Sequence, residues 1–225
     1  MGKLYVIPTP IGNLEDITFR ALRLMKEVDA ILAEDTRTTK NLLNHYEFEN
    51  KLIAYHQNNE HKVVATLVEE LKNGMVYGLV SDAGTPAISD PGFLLVREAI
   101  KEGIEVECLP GATAFVPALV NSGFPCEKFV YEGFLPHKKG RLTRMQRIAD
   151  EERTVVLYES PHRILKALQQ FDELLDNDRK LAICREISKK FEETVRGTTA
   201  ELIEHFTTNP IKGEFVMVIE GKGKK

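Results

Sequence analysis

Several residue types and patterns are scarce in this 225-residue chain, and each shortage excludes a class of protein. There is no tryptophan, and the three cysteines are Cys108, Cys126 and Cys184. An odd number of widely spaced cysteines argues against a disulfide framework, so we expect reduced thiols in the core of a cytoplasmic protein. No apolar run is long enough to cross a bilayer, and the first residues lack the layout of a signal peptide. We therefore expect no membrane as a partner.

Signals for metals and for common nucleotides are also missing. The six histidines show no metal-ligand spacing, so we expect no metal site. The chain has no phosphate-binding loop of the G-x-x-x-x-G-K-[ST] type. Residues 8–13 hold one glycine and two prolines where a dinucleotide fold needs G-x-G-x-x-G, although Glu34 and Asp35 follow the second predicted strand, where that fold places an acid. Neither a nicotinamide cofactor nor a nucleoside triphosphate is predicted.

What is present is an α/β pattern. Hydrophobic residues make up 43% and charged residues 28% of the chain, as is usual for globular proteins. The pattern predicts strands at 4–7, 30–33, 52–55, 76–80, 105–109, 129–134, 154–158, 181–184 and 214–219, and helices at 19–28, 38–46, 63–71, 93–101, 141–149, 161–175 and 199–206. Alternating strands and helices favour a mostly parallel sheet in the first half. We expect two α/β domains, 1–114 and 115–225, with a ligand in the cleft between them.

The loop at residues 81–92, SDAGTPAISDPG, is the most informative segment. It follows a short buried strand, and ligands of open α/β sheets bind at the carboxyl ends of strands. Glycine permits close backbone approach and proline fixes the loop's shape. Twelve residues is long for a strand-to-helix connection, which favours a functional loop over one that only connects the two elements. We call these residues the signature loop.

A basic segment stands out because the formal net charge of the chain is −4. Residues 137–147 hold five cations and no acid, namely Lys138, Lys139, Arg141, Arg144 and Arg147. A solvated helix face is the ordinary explanation of such a run. The missing acids favour contact with RNA phosphates, with the three arginines three residues apart on one helix face.

Several segments together resemble the bacterial ribosomal RNA small-subunit methyltransferase I family, a branch of the tetrapyrrole methylase superfamily. They are residues 9–18 (TPIGNLEDIT), 34–37 (EDTR), 81–92, 109–114 (LPGATA), 131–136 (YEGFLP), 158–163 (YESPHR), 184–187 (CREI) and 212–214 (KGE). The resemblance implies a two-domain α/β fold with a mostly parallel N-terminal sheet, a mixed C-terminal sheet and the cofactor in the interdomain cleft. It implies a homodimer that uses S-adenosylmethionine to methylate the 2′-hydroxyl of a cytidine in 16S rRNA, in the decoding region of the small ribosomal subunit.

Two departures separate the chain from relatives that act on corrins or porphyrins. Those relatives carry a glycine-rich first loop, and Gly-Asp-Pro where this chain has Gly84, Thr85 and Pro86. Both differences favour the ribosomal branch over a tetrapyrrole methyltransferase. A non-catalytic ribosome-binding protein that keeps the cofactor pocket is a further alternative.

The resemblance also assigns candidate residues. The expected cofactor-binding residues are Ile11, Ser81, Asp82, Gly84, Thr85, Ile88, Thr113 and Ala114. For Asp82, a turn-forming aspartate is the alternative explanation.

Methyl transfer to a hydroxyl also requires a group that removes its proton. Glu34 and Asp35 are the candidate catalytic bases, with Asp35 as a helix N-cap the competing explanation. Besides the basic segment, the expected substrate-binding residues are Arg37, Arg163, Arg185 and Lys212, which could hold the phosphates of a flipped-out nucleotide. Arg185 and Glu186 follow one predicted strand and Lys212 precedes another, so a structural Arg–Glu pair between strands is an equally good explanation.

Overall fold

In the computed structural model, which describes residues 2–223, the chain divides into two units between Thr113 and Ala114. Each unit carries its own five-stranded sheet. Among the described residues, no helix has both the length and the apolar character needed to cross a bilayer.

The first unit is a parallel α/β layer structure. Its elements are β1 (Lys3–Val6), α1 (Phe19–Glu27), β2 (Ala30–Ala33), α2 (Thr36–His45), β3 (Leu52–Ala54), α3 (Glu60–Lys72), β4 (Val76–Val80), α4 (Phe93–Lys101) and β5 (Glu105–Cys108). The strand order is β3-β2-β4-β1-β5, and every neighbouring pair is parallel. The loops after β1, β2, β4 and β5 therefore leave the sheet at the same edge.

Burial on both faces explains why the strands of this unit read as apolar runs. All four residues of β2 are buried, and so are the last four of β4. Two apolar clusters form the core; one includes Leu4, Leu32 and Leu79, and the other includes Ile31 and Val80. Consecutive residues of β2 and of β4 thus belong to different clusters, because successive strand side chains point to opposite faces.

The second unit has a mixed sheet. Its elements are α5 (Phe115–Ser122), β6 (Phe129–Phe134), α6 (Arg141–Ala149), β7 (Thr154–Glu159), α7 (Ile164–Asp172), β8 (Leu181–Arg185), β9 (Glu193–Gly197), α8 (Thr199–Thr208) and β10 (Phe215–Ile219). The order is β6-β7-β10-β8-β9; only the β6–β7 pair is parallel. A capping box of Thr198 and Glu201 starts α8. The predicted fold class, a mostly parallel sheet followed by a mixed one, is confirmed.

The structure differs from the sequence prediction in three elements of the second unit. Helix α5 and edge strand β9 were not predicted. Helix α7 begins at Ile164 rather than at Pro161, because residues 161–163 form a turn in which the Ser160 carbonyl accepts from the amides of Arg163 and Ile164.

The expectation that all three cysteines lie in the core is wrong for two of them. Cys184 is buried in β8, whereas Cys108 and Cys126 are exposed. Cys108 ends β5 and Cys126 lies just before β6, and both β5 and β6 are edge strands with a neighbouring strand on one side only. All three thiols are free.

Candidate active site

The signature loop connects the strand ends of the first unit. Thr9, after β1, exchanges two backbone hydrogen bonds of 2.9 Å with Gly84, and its hydroxyl donates to the Ser81 carbonyl at 3.0 Å. On the other side, the Thr85 hydroxyl donates to the carbonyl of Ala112, after β5, at 3.0 Å. The loops after β1, β4 and β5 are therefore joined by direct hydrogen bonds.

The backbone of the signature loop is tightly constrained. Gly84, Ala87 and Ser89 have φ of 82°, 69° and 64°, and the Ala87 amide donates to the Pro91 carbonyl at 3.1 Å. Positive φ is costly for residues other than glycine and persists only when the surroundings impose it. Such backbone outliers cluster at ligand-binding sites, so this loop is a candidate for one.

A close approach also explains why glycine stands at position 111. A Cβ atom there would lie 2.6 Å from the Cβ of Pro8, which is closer than two carbon atoms can pack. Gly111 thus lets the loop after β5 lie against the loop after β1.

Glu34 and Asp82 form a reciprocal link between the ends of β2 and β4. The Glu34 carboxylate accepts from the Asp82 amide at 3.3 Å, and the Asp82 carboxylate accepts from the Asp35 amide at 3.1 Å. Burial raises the pKa of the Glu34 carboxyl, and the nearby Asp82 charge adds to the increase. Burial likewise raises the pKa of Asp82, with the charge of Asp35 contributing. Two carboxyls that hold protons more tightly than usual are characteristic of functional sites.

Asp35 lies in a different environment from Glu34. It is the N-cap of α2, accepting from the Arg37 amide at 2.8 Å, and its carboxylate also pairs with the exposed Arg37 guanidinium at 2.6 Å. These hydrogen bonds from Arg37 lower the pKa of Asp35 to about 2. The structure thus agrees with the N-cap explanation of Asp35 and shows Arg37 already engaged by this partner.

A cavity of about 290 Å³ opens beside these groups. Its lining includes two predicted residues, Ser81 and Asp82, together with Thr9, Asn41 and Leu42, which the sequence analysis did not single out. Thr9 carries a detectable signal, since it is a polar residue two positions after a predicted buried strand. Asn41 and Leu42 lie on α2, whose packing the sequence does not reveal.

The remaining predicted cofactor residues follow the ends of β1, β4 and β5 along the chain. Ile11 is within van der Waals reach of Gly84, since its Cγ2 would be 3.5 Å from a Cβ built there. Ile88 is half-buried within the signature loop, and Thr113 is half-buried after β5. Ala114 is the N-cap residue of α5 and opens the second unit.

In the second unit, Arg141 is part of an interior ion-pair cluster instead of an exposed basic face. It is 6% exposed and donates to Glu159 at 3.1 Å and to Gln170 at 2.9 Å. Arg163 pairs with the other oxygen of Glu159 at 2.8 Å and also donates to Ser160 at 3.2 Å. The expectation that three arginines share an exposed face is therefore corrected: Arg141 faces the interior, where Glu159 compensates its charge.

The other cations of the basic segment are exposed. Arg144 forms an ion pair with Glu132 across to β6. Lys138, Lys139 and Arg147 are exposed, and within residues 2–223 no ion pair engages them. Four of the five predicted cations thus lie on the surface, and one of these four, Arg144, is paired with an acid.

Arg185 and Lys212 lie together at an open groove of about 720 Å³ in the second unit. Arg185 donates from Nη1 to the Pro210 carbonyl at 3.0 Å, and its Nε lies 3.6 Å from a Glu193 oxygen. Glu186 pairs with Lys189 at 2.9 Å and not with Arg185. The alternative of a structural Arg–Glu pair between strands is therefore met by Arg185 at the end of β8 and Glu193 at the start of β9.

Comparison with known proteins places this geometry in a family. Residues 3–203 match the tetrapyrrole (corrin/porphyrin) methylases. Ribosomal RNA small subunit methyltransferase I of Halalkalibacterium halodurans is 49% identical over 225 residues, which cover 100% of this chain and 78% of that protein. The enzyme of the same name from Thermotoga maritima is 46% identical over 99% of this chain and 100% of its own length.

A solved structure shows the same fold. Uroporphyrin-III C-methyl transferase from Thermus thermophilus, complexed with S-adenyl homocysteine, aligns over 97% of both chains with a TM-score of 0.65 and 19% identity. The resemblance carried by the sequence motifs is thereby confirmed. The chain is a methyltransferase that belongs to the ribosomal RNA small subunit methyltransferase I family, within the tetrapyrrole methylases.

Proposed function

We propose that this protein transfers a methyl group from S-adenosylmethionine to the 2′-hydroxyl of a cytidine in the decoding region of 16S rRNA. The names of the relatives support rRNA as the substrate, and the neighbour complexed with S-adenyl homocysteine supports the methyl donor. The observation that carries the proposal is the hydrogen-bonded link between half-buried Glu34 and Asp82, which lines the cavity at the strand ends.

The residues around the cavity fit such a donor. S-adenosylmethionine supplies an electrophilic methyl group on a positively charged sulfonium. Hydroxyls of Thr9 and Ser81 and the Asn41 amide offer polar partners, and Leu42 offers apolar surface. The carboxyl groups of Glu34 and Asp82 give this edge of the sheet a negative character that suits a cation. The constrained signature loop holds these groups in place before the donor binds, which reduces the ordering cost of binding.

Glu34 is the general base in this proposal. Its pKa, raised by burial, makes Glu34 a better proton acceptor than an ordinary carboxylate. Asp35, with its pKa lowered to about 2 by Arg37, is a much poorer base. Asp35 instead orders the start of α2 and donates its amide to Asp82.

Exposed cations would hold the RNA. Lys138, Lys139, Arg144 and Arg147 form one basic surface, while Arg185 and Lys212 lie at the groove. Each neutralised phosphate contributes to affinity and to its salt dependence. We also propose a homodimer in the cytoplasm, as the family resemblance implies, with the assembled small subunit or its rRNA as the partner.

The test uses purified protein and S-adenosylmethionine labelled on its methyl group. Unmethylated small subunits, naked 16S rRNA and a tetrapyrrole precursor are offered separately. A 2′-O-methyl group protects the adjoining phosphodiester from alkaline cleavage, so alkaline digestion maps the labelled position. Label at one cytidine ribose is the expected result. Label on a base, or only in the tetrapyrrole, would contradict the proposal, and donor binding without any transfer would favour a non-catalytic binding protein.

A matched pair of variants tests the base. Glu34→Gln keeps the size of the side chain and its acceptor for the Asp82 amide but cannot take a proton. Glu49→Gln makes the same change at an exposed position. We expect the first to lower the rate of transfer about 100-fold or more and the second to leave it unchanged.

A further inference from the structure

The hairpin loop between β8 and β9 exposes an aromatic side chain beside cations. Phe191 is 64% exposed, and Lys190 places its Nζ 5.6 Å from the centre of the Phe191 ring. Both line the groove that contains Arg185 and Lys212. A single exposed phenylalanine is unremarkable on a protein surface, but one that lines an open groove beside three cations has the composition of a nucleic-acid contact.

Internal bonds hold this loop in one shape. Lys189 pairs with Glu186 at 2.9 Å and with Glu214, just before β10, at 2.8 Å. The Ser188 amide donates to the Glu192 carboxylate at 2.7 Å. These contacts restrain the backbone that carries Phe191, which lowers the cost of ordering the loop when a ligand binds.

The acidic side chains of the groove have hydrogen-bond or ion-pair partners, whereas two of its lysines differ from them in this respect. Glu186 and Glu192 are engaged within the loop, and Glu193 lies between Arg185 at 3.6 Å and His205 at 3.1 Å. In the part of the chain that the structure describes, no ion pair engages Lys190 or Lys212. The groove thus offers two free positive charges, although three carboxylates line it.

We propose that this groove binds an unpaired nucleotide of the RNA substrate, with its base stacked on Phe191 and its flanking phosphates on Lys190 and Lys212. The inference rests on the proposed function and adds a base-stacking site to it. An aromatic face accepts any base, so this contact contributes affinity and positioning but no sequence reading. A protein partner is disfavoured because one aromatic ring among charged side chains gives no continuous apolar area.

The absence of tryptophan from the chain permits a direct test of stacking. Phe191→Trp introduces a single indole at the groove, and its fluorescence is excited apart from the six tyrosines. We expect a short unstructured oligoribonucleotide to quench this emission on binding. An abasic oligomer of equal length and charge should bind more weakly and leave the emission unchanged. Equal quenching by both oligomers, or quenching by neither, would overturn the stacking contact.

Removal of the ring gives the quantitative test. Phe191→Ala should raise the Kd for the oligoribonucleotide by about fivefold to a hundredfold, while the affinity for S-adenosylmethionine stays the same. The control is Phe19→Ala, which removes the same side chain from a position that is 94% exposed on α1. The same Kd for both variants would refute the proposal.

These measurements are separable from the proposed reaction. If the wild type methylates small subunits and Phe191→Ala has an unaltered KM, the stacking proposal is refuted while the proposed reaction stands. If RNA selectively quenches Phe191→Trp but the protein methylates no rRNA, the stacking proposal is supported while the proposed reaction is contradicted. Lys190→Ala combined with Lys212→Ala should reduce the slope of log Kd against log salt by about one to one and a half.

Discussion

Glu159 is the residue whose replacement gives the sharpest prediction for the second unit. Its carboxylate accepts from the Arg141 guanidinium at 3.1 Å, from the Ser160 amide at 2.9 Å and from the Arg163 guanidinium at 2.8 Å. The Glu159 side chain is fully buried. Glu159→Gln keeps the shape of the side chain but removes the negative charge that pairs with both guanidinium groups.

The expected loss follows from that burial. Breaking a buried ion pair by removing one partner costs about 3–5 kcal/mol, because an uncompensated charge stays in the interior. Here Arg141 is the uncompensated group, since Arg163 is more exposed and can turn toward water. Total stabilities are about 5–15 kcal/mol, so the second unit would lose a large share of its free energy of unfolding.

The assay is urea denaturation followed by far-ultraviolet circular dichroism. The control is Glu132→Gln, which removes a carboxylate paired with Arg144 near the surface. An exposed pair of this kind contributes about 0–1 kcal/mol, so this variant should unfold close to the wild type. Arg141→Met in the Glu159→Gln background should restore part of the loss, with a coupling free energy of about 1–3 kcal/mol. Equal unfolding midpoints for Glu159→Gln and Glu132→Gln would refute the reasoning.

Three further predictions concern the substrate, the donor and pH. Arg144→Gln with Arg147→Gln should weaken binding to the small subunit and reduce its salt slope by about one to two, with the free energy of unfolding changed by about 0.5 kcal/mol or less; unchanged methylation across a salt series would contradict this. Thr85→Trp should abolish donor binding in a folded protein because it places a large ring in the signature loop, and calorimetry showing normal donor affinity would exclude this loop as the site. The rate of transfer should rise with pH through the raised pKa of Glu34, since the base acts when it is deprotonated. Glu34→Gln should lose this dependence while its melting temperature stays equal or rises, because ionised Glu34 loses hydration on folding; a lower melting temperature together with an unchanged pH profile would argue against Glu34 as the base.

The strands were the most predictable part of the fold. β2 and β4 were predicted at their observed bounds because burial on both faces makes a parallel strand a continuous apolar run. β9 has no such run. Only its central Val195 is a large apolar residue, and the strand exists because its five residues pair in register with β8. Pairing of this kind depends on the partner strand and is not encoded locally.

Helix α5 was missed for a different reason. Its sequence is almost wholly apolar, so it lacks the polar face whose period identifies a surface helix. Pro117 also argues against a helix, although proline is tolerated in the first turn, where it stands here. Gly123, in the left-handed conformation at the end of α5, is a signal that was available and not used.

The sequence predicts which residues lie near one another at the site but not which of them form hydrogen bonds or ion pairs. The rule that parallel strands end at one edge brought Glu34 and the signature loop together. Which carboxylate would cap α2 and which would face Asp82 depends on backbone geometry that residue order does not specify. Arg141 shows the same limit, because its partner Glu159 is 18 residues away, beyond the helical spacings at which sequence reveals ion pairs.

The two backbone bonds between Thr9 and Gly84 have a consequence for motion. Because the Thr85 hydroxyl also donates to Ala112, we expect the loops after β1, β4 and β5 to open together. Opening the cavity beside these loops would then be one cooperative event whose free energy is shared among the three loops. Amide hydrogen exchange should register this as a common opening rate at Thr9 and Gly84, and a bound donor should slow both amides by the same factor.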